Sequence, residues 1–384
     1  MHRHPWLIIL LASLPLLIGA GLATALDHII WKNDGIESKL DGQILVKTTD
    51  GGLFVQAPDG TLVSVPADKL VRQTSDDEPL VPLAKADLAK RLLAELPAGF
   101  EAYTTQNYLI CHNTSDAYAK WCGALFEQLH RGFTNYWSDR GFDLKKPEFP
   151  LVAIVFADKN SYTAWASKEI GDGVSTIIGY YNYQTNRMTM YDLTGMENLR
   201  QAGDRRTTAA QINEMLSRPE AERTVATIVH EATHQLAFNC GLQTRYSDVP
   251  LWVSEGLAIY FETPDLKSKT GWRKIGAVNR FQWSAFRSYV GHRPAGSLKT
   301  LIADDTRLQS SRDAAEAYAE SWALSYYLIR AKPKQYLAYL KMLSQKPRLV
   351  RDEPSKRLEE FQAAFGQNLD QLDTEFLRYM SKLP

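Results

Sequence analysis

Two histidines four residues apart, with a glutamate directly after the first, stand in "TIVHEATHQLAFN", Thr227 to Asn239. Residues four apart on an α-helix share a face, so His230 and His234 can aim two imidazole nitrogens at one metal ion, with Glu231 beside them. Their neighbours are apolar, and an ionisable group buried without a partner costs on the order of several kcal/mol. These side chains therefore need partners elsewhere in the chain. Catalytic zinc commonly takes three protein ligands and keeps one position for water, and His, His, Glu is one such set. A carboxylate of that kind occurs in "PLWVSEGLAIYFE", where Glu255 is embedded among Leu251, Trp252, Leu257 and Ile259. The two apolar stretches explain one another if His230, His234 and Glu255 meet at one Zn2+ per chain.

Both stretches read as helices. Pro219 suits a first helical position, Glu220 and Glu222 suit a first turn, and Gly241 suits the left-handed residue beyond a helix end. The second, shorter helix spans about 250–262, with Asp248 as its expected cap. Upstream come a strand in "FEAYTTQNYLIC", an amphipathic helix over 115–140, the apolar strand "PLVAIVFA" and a helix over 159–169. The runs "STIIGYY" and "RMTMYDL", joined by "NYQTN", read as a hairpin, with "RMTMYDL" either the edge strand that pairs with an extended peptide or only sheet structure. The "YYNY" cluster, Tyr180 to Tyr183, either contacts a ligand or, as the simpler account, is a hairpin end. From Asp313 onward four helices are punctuated by Pro333, Pro354 and Gly366.

The N-terminal part differs in kind. "GQILVKTT", "GLFVQA" and "TLVSV", separated by "TDGG" and "PDG", form a small all-β module of SH3-like type over 27–73. An acidic, twice proline-interrupted linker follows at 74–82, and a helix over 83–96 leads into the main body. Before the module, residues 1–25 combine a basic start, an apolar run from Trp6 to Ile18 and small residues at Ala23 and Ala25. This is the pattern of a signal peptide cleaved after Ala25, or of an uncleaved membrane anchor. Either one puts the protein outside the cytoplasm: secreted, periplasmic or tethered to the membrane.

Lys plus Arg (44) balance Asp plus Glu (44), which argues against nucleic acid as a partner and against a membrane except through the N-terminal segment. The expected partner is a peptide or protein substrate. Three cysteines leave at least one thiol unpaired, and Cys111 and Cys122 either close a short loop or are buried thiols. His28, His112, His130 and His292 have no companion at ligand spacing. In "GWRKIGAVNRFQ", Arg273, Asn279 and Arg280 either reach a substrate or belong to a solvated surface segment, the expected case.

"HEATH" followed by "WVSEGLAIYFE" resembles the gluzincin metallopeptidases, the clan that includes thermolysin. "CHNTSDAYAKWCGALFEQL", "GYYNYQTNRMTMYDLTG" and "AYAESWALSYYL" are similar to a bacterial family of secreted, peptidase-MA-like domains of unknown function. The resemblance implies an α+β fold: a thermolysin-like zincin core over 83–262, with a mixed sheet and the HExxH helix, and a helical C-terminal subdomain over 263–384. It also implies His230, His234 and Glu255 as zinc ligands and Glu231 as general base for peptide hydrolysis. A further tyrosine or histidine donor to the oxyanion is usual in the clan. Tyr318 in "EAYAESW" is the candidate; Tyr326 and Tyr327 compete, and a merely packed tyrosine is the alternative. One position departs from the pattern: four residues after Glu255, where thermolysin-type enzymes carry an acid, stands Ile259. Glu262 or another group must then orient the imidazole. The rival to a secreted zinc metallopeptidase is a non-catalytic zinc-binding scaffold or binding protein of the cell envelope.

Overall fold

The computed structural model describes residues 26–196, 199, 205–262 and 275–384. The expected leader or anchor and Arg273 lie outside them. Five short runs near the N-terminus form one antiparallel sheet: β1 (Asp27–Asn33), β2 (Ile36–Lys47), β3 (Leu53–Gln56), β4 (Leu62–Val65) and β5 (Leu70–Ser75), in the order β4-β3-β2-β1-β5. Asp34 and Gly35, both at positive φ, make the tight β1–β2 turn for which Asp-Gly is suited. Ile29, Ile44, Leu53, Val55 and Val65 fill its small core. β5 takes in Thr74 and Ser75, the first residues of the expected linker, and the far end of that linker is tied down where Leu83 N–H donates to Pro58 O at 2.8 Å.

The second sheet contains β6 (Glu101–Thr104), β7 (Tyr108–His112), β8 (Leu151–Phe156), β9 (Gly179–Asn182) and β10 (Arg187–Tyr191), in the order β6-β7-β8-β10-β9. β7, β8 and β10 run parallel, and β6 and β9 close the two edges antiparallel. The edge beyond β10 is thus β9, "GYYN", and "RMTMYDL" is not an edge strand. All five residues of β10 are buried, as a strand paired on both sides and covered on both faces requires.

Thirteen helices occur among the described residues. They are α1 (Lys85–Glu95), α2 (Asp116–Ser138), α3 (Lys159–Ile170), α4 (Ala209–Leu216), α5 (Glu222–Asn239), α6 (Leu251–Phe261), α7 (Arg280–Val290), α8 (Ser297–Ala303), α9 (Thr306–Gln309), α10 (Ala314–Ala331), α11 (Pro333–Ser344), α12 (Pro354–Phe365) and α13 (Leu369–Met380). None of them is long and apolar enough to cross a membrane. Leu109, Val152, Ile154 and Phe156 pack under α1 and α3, whereas Ile110, Ala153, Val155, Met188 and Met190 pack under α2 and α5. The mixed sheet is therefore the middle layer, and the later helices extend its second face.

α10 lies tight on α6. A Cβ at Gly256 would overlap Ser321 O and Ser325 Oγ, so the two helices approach as closely as only glycine permits. Cys111 is buried in the core under α1 and α3, and Cys122 and Cys240 in the other. All three thiols are free, and burial pushes those of Cys111 and Cys240 up to about 12.

Candidate metal centre

α5 succeeds the 3-10 turn Pro219–Ala221 and ends at Asn239, followed by Cys240 as its cap and by Gly241 at φ +78°. Its apolar face, Val225, Ile228, Val229, Ala232 and Leu236, is buried in the core. Gln235, also buried, fixes the helix to the sheet by donating from Nε2 to Val152 O (2.9 Å) and Asn186 O (3.2 Å). That attachment leaves His230 and Glu231 half-buried on the other face and His234 4 % exposed.

α6 faces α5 and is buried at nearly every position. Its first N–H, on Leu251, donates to Asp305 Oδ1 at 2.9 Å. Asp248 is not the cap: its carboxylate accepts from Arg357 Nη2 at 2.6 Å and Nε at 2.9 Å, a fork-to-fork pairing that holds it away from the helix end.

The two helices bring three ligand groups to one point. His230 Nε2 lies 3.1 Å from His234 Nε2 and 3.1 Å from Glu255 Oε2, and His234 Nε2 lies 3.6 Å from Glu255 Oε1. Ligand atoms about 2.0–2.1 Å from a tetrahedral zinc sit roughly 3.3 Å from one another, so the set has the dimensions of a tetrahedral site. His230, His234 and Glu255 are the group among the described residues that could hold a metal ion.

The outer ring nitrogens are also engaged. His230 Nδ1 is 3.0 Å from Glu262 Oε2, and Glu262 Oε1 accepts from Asn279 Nδ2 at 2.7 Å. His234 Nδ1 is 3.3 Å from Ser254 Oγ, which donates to Gln243 Oε1 at 3.2 Å. Acceptors on both Nδ1 atoms favour the tautomer that turns a lone pair from each Nε2 toward the common point.

Burial alone would lower the His230 pKa, but hydrogen bonds with Glu255 and Glu262 overcome this and raise it well above the ordinary value. Burial would raise the Glu255 carboxyl, yet His234 and His230 hold it well below the usual carboxylate range. His230 and Glu255 thus each favour the other's charged form, and a dication entering between them would have to displace the imidazole proton.

Glu231 stands beside this cluster and outside the ligand set, with Oε2 accepting from Tyr181 N–H of β9 at 2.9 Å. Tyr318 on α10 faces the same carboxylates: the charge of Glu255, then burial, then Glu231 push its phenol well above 10. Its rivals point elsewhere. Tyr326 packs on Trp322 and Tyr260, and Tyr327 on Phe376 and Tyr379.

With the geometry fixed, one comparison bears on it. Residues 224–350 match the family described as "Protein of unknown function (DUF1570)". This span is about a third of the chain and contains His230, Glu231, His234, Glu255, Glu262 and Tyr318. No curated protein matches the chain.

Two neighbours of the cluster depart from the sequence expectation. Asn279 is not a solvated surface residue; it holds Glu262 and caps α7 by accepting from Gln282 N–H at 3.1 Å. Arg280 beside it is exposed. Tyr183, read as a hairpin end or a ligand contact, lies within electrostatic reach of the cluster: burial first, then Glu255 and Glu231, raise its phenol, and its ring packs edge-on against Phe238, one turn beyond His234, at 4.9 Å. The sequence signal for it is the two-residue spacing of Tyr181 and Tyr183, which puts both rings on one side of the chain, 5.3 Å apart. Three other histidines serve local structure: His28 pairs with Asp41 and Asp76, His292 with Glu316, and His112 with Thr114 O.

Proposed function

We propose that this protein is a zinc-dependent peptidase of gluzincin type that acts outside the cytoplasm. The observation that carries the reading is the convergence of His230 Nε2, His234 Nε2 and Glu255 on one point, with the carboxylate of Glu231 beside it and outside the ligand set. The mixed sheet under α5, with an antiparallel edge strand next to the cluster, supports reading residues 83–262 as a zincin core.

Zinc held by His230, His234 and Glu255 would lower the pKa of a water toward about 7 and polarise a scissile carbonyl. The protein's own groups then have distinct tasks. Tyr181 N–H fixes one oxygen of Glu231, leaving the other to take the proton of the attacking water and pass it to the leaving amine. Tyr318, kept protonated by the neighbouring carboxylates, donates to the oxyanion that develops on the carbonyl. Because Tyr181 N–H points out of the sheet at Glu231, the free side of β9 borders the reacting groups, and an extended peptide paired with that edge would run past them.

The test is metal analysis together with a peptide-library assay on purified full-length protein, with a chelator control and the Glu231→Gln variant. The expected result is about one zinc per chain and cleavage that both the chelator and Glu231→Gln abolish, with metal retained in the variant. Cleavage unchanged in Glu231→Gln would overturn the proposal. Tightly held zinc without exchangeable water would favour the binding-protein reading.

A further inference from the structure

We propose that the N-terminal sheet is a strut of the site wall: its Pro58–Leu62 turn positions the β9–β10 hairpin, and with it Tyr183 and the edge main chain, over the His230–His234–Glu255 cluster. The inference rests on the reading of β9 as the substrate edge for its consequence, but its geometry stands apart from catalysis.

The turn meets the hairpin through a small set of buried contacts. Arg245 is 5 % exposed, and its guanidinium donates from Nη2 to Gly60 O at 2.9 Å and from Nη1 to Tyr183 O at 3.0 Å. One buried side chain therefore clamps a carbonyl of the module to a carbonyl of the hairpin. Leu62 N–H donates across the same boundary to Gln184 O at 2.8 Å. Gly60 has φ +83°, and a Cβ there would stand 3.1 Å from Phe149 and 3.4 Å from Asn186 Nδ2, so the approach needs glycine. Asn186 in turn accepts from Tyr181 O–H at 2.6 Å and from Asn239 Nδ2 at 2.7 Å, which joins the hairpin to the end of α5. Asp59, its side chain 1 % exposed, faces Arg187 of β10 at 3.6 Å and Arg91 of α1 at 3.4 Å.

A free-standing recognition module would hang from its linker and keep its turns for a ligand. Here the Pro58–Leu62 turn is occupied by the hairpin. The clamp also demands its residue types. A guanidinium has a planar fork that can serve two carbonyls at once, whereas a lysine ammonium is a point charge. Removing either partner of a buried charged contact leaves the other uncompensated, so the boundary gives way locally when one member is changed. What it holds is the segment whose backbone fixes Glu231, through Tyr181 N–H, and whose next outward ring is Tyr183.

The experiment uses the full chain and the variants Arg245→Lys and Arg245→Met, with Asp59→Asn as a milder change from the module side. Amide hydrogen exchange is measured for residues 179–187 against α5 and α6, alongside the absorption spectrum of the cobalt-loaded protein and the split of any peptidase effect between KM and kcat. The expected result is exchange roughly tenfold faster in the hairpin, the factor given by one lost hydrogen bond to a charged group. α5, α6 and the cobalt spectrum are expected to stay unchanged, while KM rises through the loosened β9 edge and kcat falls through the Tyr181 N–H that fixes Glu231. Hairpin exchange equal to wild type, or a rise shared by α5 and α6, overturns the strut. If the Arg245 variants do not fold, the same criteria applied to Asp59→Asn decide. Exchange and cobalt spectra need no turnover, so a protein without peptidase activity would sink the proposed function and leave this inference to its own result.

Discussion

Glu262 does for His230 what Ile259 cannot. It lies two helical turns after Glu255, on the same face, so one imidazole meets a carboxylate on each side: Glu255 on Nε2 and Glu262 on Nδ1. Asn279 steadies Glu262 from the start of α7. Glu262→Gln keeps the size of the side chain and removes the charge that fixes the ring. The expected outcome is roughly 10–100-fold weaker zinc binding in competition with a chromophoric chelator, the usual cost of losing such a partner, with an unchanged circular-dichroism spectrum. Wild-type affinity in this variant would show that Glu262 only fills space. The sequence makes His230, His234 and Glu255 visible because a four-residue spacing and an acid amid apolar residues are local patterns. Asn279 leaves no comparable trace, and Tyr183 only its two-residue spacing from Tyr181, since each approaches the cluster through a turn rather than through helical periodicity.

At the scale of elements, α1 to α3, α5, α6 and α10 to α13 are legible from apolar periodicity and from Pro219, Gly241, Pro333 and Pro354, whereas α4, α7, α8 and α9 are not, and neither are neighbours in space. "GYYN" and "RMTMY" are equally β-prone, and only the pairing of β10 with both β8 and β9 decides which is the edge. Asp248 resembles a cap by its distance from α6, whereas the acceptor for Leu251 N–H is Asp305, 54 residues later in the chain. The same holds for the α6–α10 contact that sets Tyr318 beside Glu255. Gly256→Ala would press a methyl group into Ser321 O and Ser325 Oγ, and since the carbonyl cannot turn aside, α6 must lift from α10. Overpacking of this kind costs about 1–3 kcal/mol, so the variant is expected to melt several degrees lower and, where wild type cleaves peptides, to do so more slowly. Gly291→Ala is the control, because its added Cβ meets nothing nearer than Ser288 O at 3.5 Å. Equal melting of the two variants would mean that α6 and α10 have room to spare.

For the molecule as a whole, the question is how far the fold depends on the metal. The residues that could hold one come from α5 and α6, but other contacts hold those helices in place. Glu320, fully buried, lies between Arg293 and Arg307, and Arg357 joins Asp248 to Asp305 at the start of α6. These partners lie up to 109 residues apart in sequence, which is why charge patterning gives no hint of them. The aromatic and aliphatic core under α2, α5, α6 and α10 is likewise continuous without the cluster. Each candidate ligand also has a protein partner of its own, His230 lying against Glu255 and Glu262 and His234 against Glu255 and Ser254, so none depends on a metal for a polar contact. A metal that binds only the folded chain should therefore add stability by mass action rather than make folding possible, by about 2.7 kcal/mol at a free concentration 100 times Kd. Chelation is expected to lower Tm by several degrees while the far-ultraviolet spectrum at about 25 °C stays native, and added zinc to restore the original Tm. Global unfolding on chelation would show that the cluster is a structural staple. A Tm unmoved by chelator and by zinc would show that His230, His234 and Glu255 bind no metal, and would remove the ground for the proposed hydrolysis.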